Sequence, residues 1–185
     1  MFSVALSLAL GASAPILPVC SAASGVAIAV CFAPEEDCAA FVVRAINNAD
    51  REILVGAYGL TTGSGIVEAL IRAKERGVDV RLIADKTTPC ERESGIEPLV
   101  AGVPIWINAQ ARIAHAKTTV VDGTVTLTGS MNWTNGAARN SEDLNLVSSP
   151  TVAAAYAAHW HKRLAVSVRI DRREDWCRAS SAAAR

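Results

Sequence analysis

Between Val26 and Ala84 the sequence alternates short β-prone runs with segments of helical apolar spacing, and few architectures satisfy that rhythm. VAIAVCF (26–32), EILVGAY (52–58) and VDVRLIA (78–84) read as strands. Between them, 37–49 begins at an acidic residue and 64–76 stops at Gly77, and both carry one apolar helical stripe. The strand runs are apolar nearly throughout, so both of their faces need cover. A strand–helix–strand–helix–strand order provides that cover by laying parallel strands side by side with helices on the sheet. The predicted class is therefore α/β, a mixed but largely parallel sheet in a single domain. At 185 residues the chain has room for one well-buried core. Its 51% apolar content and zero formal charge exclude a disordered chain.

The second half changes rhythm. After a polar, turn-rich stretch (86–95), a short helix (96–101) and a short strand (104–108), residues 113–121 read as a strand. Asp122-Gly123 is a hairpin signal, and 124–128 returns. A further strand at 143–148 and a helix at 151–164 close the pattern.

The start of the chain reads differently. Residues 1–43 contain no Lys or Arg, and MFSVALSLALGASA is an apolar run ending in small residues. This predicts a signal peptide over 1–23, cleaved near Ala22 or Ala23, with one folded domain over 24–185. Pro15, Pro18 and Gly11 interrupt the run, so no permanent membrane span is expected. Lipidation at Cys20 is an alternative, with bulky Val19 before it against that. An exported location, periplasmic or secreted, follows. Cys31, Cys38, Cys90 and Cys177 then form an even set that predicts two disulfides; their connectivity is open, with Cys31–Cys38 a candidate short loop. Their spacing matches no zinc site.

The chemistry is concentrated in IAHAKTTVVDGTVTLTGSMNWT (113–134). Alternation along a strand sets His115 and Lys117 on one face. The hairpin at Asp122-Gly123 returns Gly129, Ser130 and Asn132 to the same region. A neutral imidazole can attack a phosphodiester, dividing one difficult displacement into two. Lys117, Asn132, the Ser130 hydroxyl and backbone amides near Gly129 can hold the charge that develops on phosphoryl oxygens. No metal or other cofactor is required.

These residues carry a resemblance. His115-x-Lys117-x4-Asp122-x6-Gly129-Ser130-x-Asn132 is similar to the signature of the phospholipase D superfamily, complete at all six positions. Six such residues at fixed spacing arise by chance in about one chain in a million of this length. A lone histidine is more often structural, but not in this company. The likeness runs from Val26 to Val147 and is nearest to small exported bacterial endonucleases with one motif copy. It implies a phospholipase D-like α-β-α sandwich and a phosphodiesterase working through a phosphohistidine at His115. Glu142 is the matching position for a carboxylate that hydrogen-bonds the nucleophile, and Asp122, in the turn, belongs to the same catalytic set with a more structural role than Glu142.

Such an enzyme needs a general acid, usually the histidine of a second motif. With one motif here, the resemblance implies a homodimer whose two-fold axis brings two copies of His115 together. His159 and His161 read as surface or packing residues, since two helix positions apart they point to different faces. Trp106 and Trp160 are assigned to packing, and Trp133 to the core or to a substrate. Nucleic acid is the first expected substrate, with Lys86, Arg92, Arg112, Lys117 and Arg139 as candidates for a basic rim. Phospholipid is the alternative, and an inactive binding module of the same fold is a second one.

Overall fold

Local chemistry starts and stops the helices. In the computed structural model, which describes residues 25–183, Asp37 accepts a hydrogen bond from the Ala40 amide and caps helix α1 (Cys38–Asn47). Helix α2 (Ile66–Glu75) ends where Gly77 takes a positive φ of 93°. There the Gly77 and Val78 amides donate to the Lys74 and Ala73 carbonyls, the two bonds of a Schellman turn. Helix α3 (Ile96–Val100) is short, and α4 (Pro150–Leu164) starts with the Ser149 hydroxyl accepting from the Val152 amide. The predicted signal segment, with Cys20, lies outside the described residues. Among those residues, no helix is long and apolar enough to cross a membrane.

The strands are β1 (Ala27–Ala33), β2 (Glu52–Ala57), β3 (Asp79–Asp85), β4 (Ile105–Asn108), β5 (Lys117–Val121), β6 (Val125–Gly129), β7 (Glu142–Ser148) and β8 (Val168–Ile170). They form one sheet in the order β1-β7-β6-β5-β2-β3-β4-β8. The expected mixed sheet is present, but its balance is corrected. Only β2–β3 and β3–β4 pair in parallel, while β1–β7, β7–β6, β6–β5, β5–β2 and β4–β8 are antiparallel. The helix after β1 suggested a parallel neighbour, yet β1 runs to the far edge. The hairpin strands and β7 fill the space between β1 and β2.

Alternate residues of each strand feed two cores. Ile53, Val55, Val80, Leu82, Leu127 and Leu144 pack with α1, α2 and α3 on one face. Leu54, Ile83 and Val120 pack with Ala153 and Trp160 of α4 on the other. Trp160 is structural, its indole donating to the Val55 carbonyl at 2.9 Å. Trp133 is fully buried in the first core.

The C-terminal region adds two elements that were not assigned from the sequence. β8 adds to β4, and helix α5 (Arg173–Ala183) lies against the loop after β3. There the Trp176 indole donates to the Lys86 carbonyl and Cys177 is disulfide-bonded to Cys90. The second disulfide joins Cys31 to Cys38, so the four cysteines among the described residues are all paired.

Candidate active site

The site forms where β5 begins. β5 starts at Lys117 and not at Ile113; residues 113–116 approach it outside the ladder. Two bonds fix this approach on either side of His115. The Asp85 carboxylate accepts from the Ala114 amide at 2.6 Å, and the Tyr58 amide donates to the Ala116 carbonyl at 2.9 Å. Asp85 is 1% exposed, and its other oxygen accepts from the amide and hydroxyl of Thr87. Burial alone would raise its pKa. The amides of Thr87 and Ala114, the Thr87 hydroxyl and the Lys86 charge outweigh burial and hold it below the usual value.

Asp85 was not singled out from the sequence. The available signal was an acid closing a buried strand immediately before a turn-rich loop, where α/β sheets place their ligand crevices.

His115 is exposed to solvent, and Lys117 beside it is 6% exposed. The Lys117 Nζ sits 3.1 Å from Nδ1 and 3.2 Å from Nε2 of His115, and it donates to the His115 carbonyl at 2.8 Å. The Tyr58 ring lies 4.4 Å from the imidazole, centroid to centroid, with the ammonium 4.8 Å from the same phenol ring. Burial pushes the Lys117 pKa down from 10.5, and the Glu142 carboxylate opposes that. The imidazole and ammonium expected side by side are thus in direct contact.

Across the hairpin, Gly129 passes tightly under β7. A Cβ built on it would fall 2.2 Å from the Asp143 carbonyl oxygen, so only glycine fits. The turn after it brings the Ser130 hydroxyl to Glu142 at 2.5 Å, and the Asp143 amide donates back to Ser130. The Asn140 amide group donates to the other oxygen of Glu142 at 3.0 Å. Glu142 therefore does not hydrogen-bond His115 as expected. The β6–β7 register, with Gly129 opposite Leu144, puts Ser130 and Asn140 nearer to it, and its charge acts on Lys117.

Asn132 packs beside Gly59, next to Tyr58, and its buried Oδ1 has no hydrogen-bond partner. Leaving such a group unpaired costs about 1–3 kcal/mol, and a half-turn of the amide would present its NH2 instead.

Asp122 does not join this cluster. It lies at the other end of β5, whose five residues at ~3.3 Å each span about 16 Å. Its carboxylate accepts from the backbone amides of Asp50, Arg51 and Glu52 at 2.8–3.0 Å. Asp122 and Gly123 have φ of 53° and 66°, the turn that the sequence predicts. Burial would raise the Asp122 pKa, but the three amides and the Arg51 charge hold it low. Asp122, placed in the catalytic set from the sequence, here ties the hairpin turn to the start of β2.

A cleft of roughly 490 Å³ opens beside His115 and Lys117. Asn108, Tyr156, His159 and Arg163 also line it, and none of its lining residues is Asp or Glu. Of the five basic-rim candidates only Lys117 is there; Lys86, Arg92, Arg112 and Arg139 are not. His159 was expected as an ordinary surface or packing residue, but α4 packs over the sheet so that it faces the same cleft as His115. His161 packs edge-on against the Trp160 ring, as expected. Arg163 went unrecognised because a cation in the last turn of a helix is ordinary by itself.

Residues 42–164 match the family described as "Cardiolipin synthase, PLD-like domain". A "Phospholipase D" of Rickettsia prowazekii is 34% identical over 142 residues, covering 76% of this chain and 69% of that protein. Among solved structures, Nuc from Salmonella typhimurium, a phospholipase D family member, superposes with a TM-score of 0.75 at 30% identity. The match covers 80% of this chain and 99% of Nuc. NucT from Helicobacter pylori has the same fold, with a TM-score of 0.72 at 19% identity over 78% of this chain and 99% of that one.

Proposed function

The chain belongs to the phospholipase D superfamily of phosphodiesterases, and we propose that it is a nonspecific endonuclease acting on DNA and RNA through a phosphohistidine at His115. The observation that carries this reading is the contact between the His115 imidazole and the Lys117 ammonium, in a cleft with further cationic and polar side chains and no carboxylate. A net charge of zero is no obstacle when charge is segregated in this way. The likeness to Nuc over 99% of its length supports nucleic acid as substrate.

In the proposed reaction an imidazole nitrogen bonds to phosphorus while the bond from phosphorus to the leaving oxygen breaks. Lys117 exchanges its bond to the ring for one to a non-bridging phosphoryl oxygen, and Asn132 and Ser130 act beside it. Each donor of this kind contributes about 2.7–4 kcal/mol where one has been removed by mutation. The leaving oxygen takes a proton from a second imidazole. Water then attacks phosphorus, the N–P bond breaks, and that second imidazole accepts the water's proton.

The second imidazole is assigned to His115 of another copy in a homodimer. The exposure of His115 and the single motif support this, as does an apolar stripe on edge strand β1. Ile28, Val30 and Phe32, 61%, 45% and 56% exposed, share one face. Phe32 lies opposite Asp143, at the end of the sheet that holds Glu142.

An exported location is likewise proposed; two disulfides among the described residues support it, because such bonds persist in oxidising compartments.

Purified protein incubated with plasmid DNA and with phosphatidylcholine vesicles in EDTA, beside His115→Ala, tests the reading. DNA cleavage by the wild type alone is expected, falling steeply with added salt, and denatured wild-type protein should carry labelled phosphate on His115. The name of the Rickettsia relatives favours a second reading, phospholipid hydrolysis. Vesicle turnover without DNA cleavage would establish that one, and turnover of neither would leave an inactive binding module.

A further inference from the structure

Helix α4 turns one face toward the cleft. Tyr156, His159 and Arg163 follow one another at steps of three and four, the spacing of one helical stripe, and all three line the same cavity as His115 and Lys117. The Arg163 guanidinium has neither a hydrogen-bond nor an ion-pair partner among the described residues, and its Nε is buried. Arg81, Arg169, Arg172, Arg173 and Arg178, by contrast, each hold a carboxylate. Withdrawing a guanidinium nitrogen from water with nothing to receive its proton is unfavourable, and an anion is the group that relieves it. A cavity near 490 Å³ is also larger than one phosphodiester group needs, and falls among sites that enclose a small organic molecule.

We propose that Arg163, with His159 beside it, forms a subsite for the phosphate adjoining the scissile one along a nucleic-acid strand. The proposal rests on the nuclease reading and adds to it the element that selects a polymer over an isolated diester. The attacked phosphate meets His115 and Lys117, and its neighbour meets the guanidinium and an imidazole N–H from α4. Arg163 and His159 then act in binding and take no part in the bond changes.

The experiment compares a twenty-residue oligothymidylate with bis(4-nitrophenyl) phosphate, which holds one phosphate only. Wild-type protein, Arg163→Ala, Arg163→Lys and His159→Gln are assayed, with folding checked by thermal melts. Arg163→Ala is expected to lower the ratio of kcat/KM for the oligonucleotide to that for the small diester about tenfold or more, mainly through KM. It should also reduce by about one the slope of log K against log salt, and Arg163→Lys should recover part of the ratio. His159→Gln is expected to shift the ratio in the same direction.

Equal losses on both substrates would overturn the proposal, because Arg163 or His159 would then act in the reaction itself. An unaltered ratio in all three variants would overturn it as well. Wild-type protein that spares the oligonucleotide but hydrolyses phosphatidylcholine vesicles would remove the nuclease reading, and this subsite with it.

Discussion

Two acidic residues show how similar chemistry serves different ends. Asp85 and Asp122 both accept backbone amides, yet one steadies the approach to His115 and the other pins the far end of the hairpin to the start of β2. Asp85→Ala should release the Ala114 amide and let the imidazole wander. We expect kcat to fall about 10- to 100-fold with KM little changed, and Asp85→Asn to recover part of the loss, measured on a small diester. Asp122→Ala should leave three amides unpaired and lower stability by about 1–3 kcal/mol in denaturant unfolding, while kcat stays within about twofold.

The low pKa of Asp122 also fixes a pH dependence. A carboxyl depressed on folding adds stability above its unfolded pKa, near 3.8 here, and loses that contribution as pH falls through the lower folded value. The wild type should therefore lose more of its Tm between pH 5 and about pH 2 than Asp122→Ala does.

Helix α5 is the element whose role was least visible beforehand. It places Trp176 and Cys177 against the loop that follows Asp85, so a terminal segment braces a loop at the edge of the site. The Cys90–Cys177 bond spans 87 residues, and a closed loop of that length is worth about 4–5 kcal/mol in the chain-entropy view, with measured values for disulfides usually about 2–4. Cys90→Ser with Cys177→Ser is expected to lower unfolding free energy within that range and raise the hydrogen exchange of residues 86–95. The shorter Cys31–Cys38 loop should matter less to global stability. Charged composition hid this helix, because its contacts come from Trp176, Cys177 and Arg173 and not from a full apolar stripe.

For the molecule as a whole, the proposed homodimer is the feature to test. Lys117 has its imidazole, but the described residues place no hydrogen bond from Glu142 on that ring, and His115 stands in solvent. If a second copy completes the site, Val30→Glu with Phe32→Glu on the β1 stripe should convert dimer to monomer in sedimentation equilibrium. The same change is expected to cut kcat by about 10²-fold or more, the contribution of a positioned acid–base group. A monomeric wild type with full activity would exclude the shared site.

How much was readable in advance divides along physical lines. Helix caps, the Asp122-Gly123 turn and strand alternation depend on neighbours within a few residues, so 37–49, 64–76 and the hairpin appear where their chemistry put them. The contact between His115 and Lys117 was legible because the two stand two residues apart on one extended segment. The antiparallel majority of the sheet, the Glu142–Ser130–Asn140 group, the hold of Asp85 on Ala114 and the presence of His159 and Arg163 beside His115 were not legible. Each depends on pairing between segments remote in the chain, and a side chain's local spacing carries no record of what packing will set in front of it.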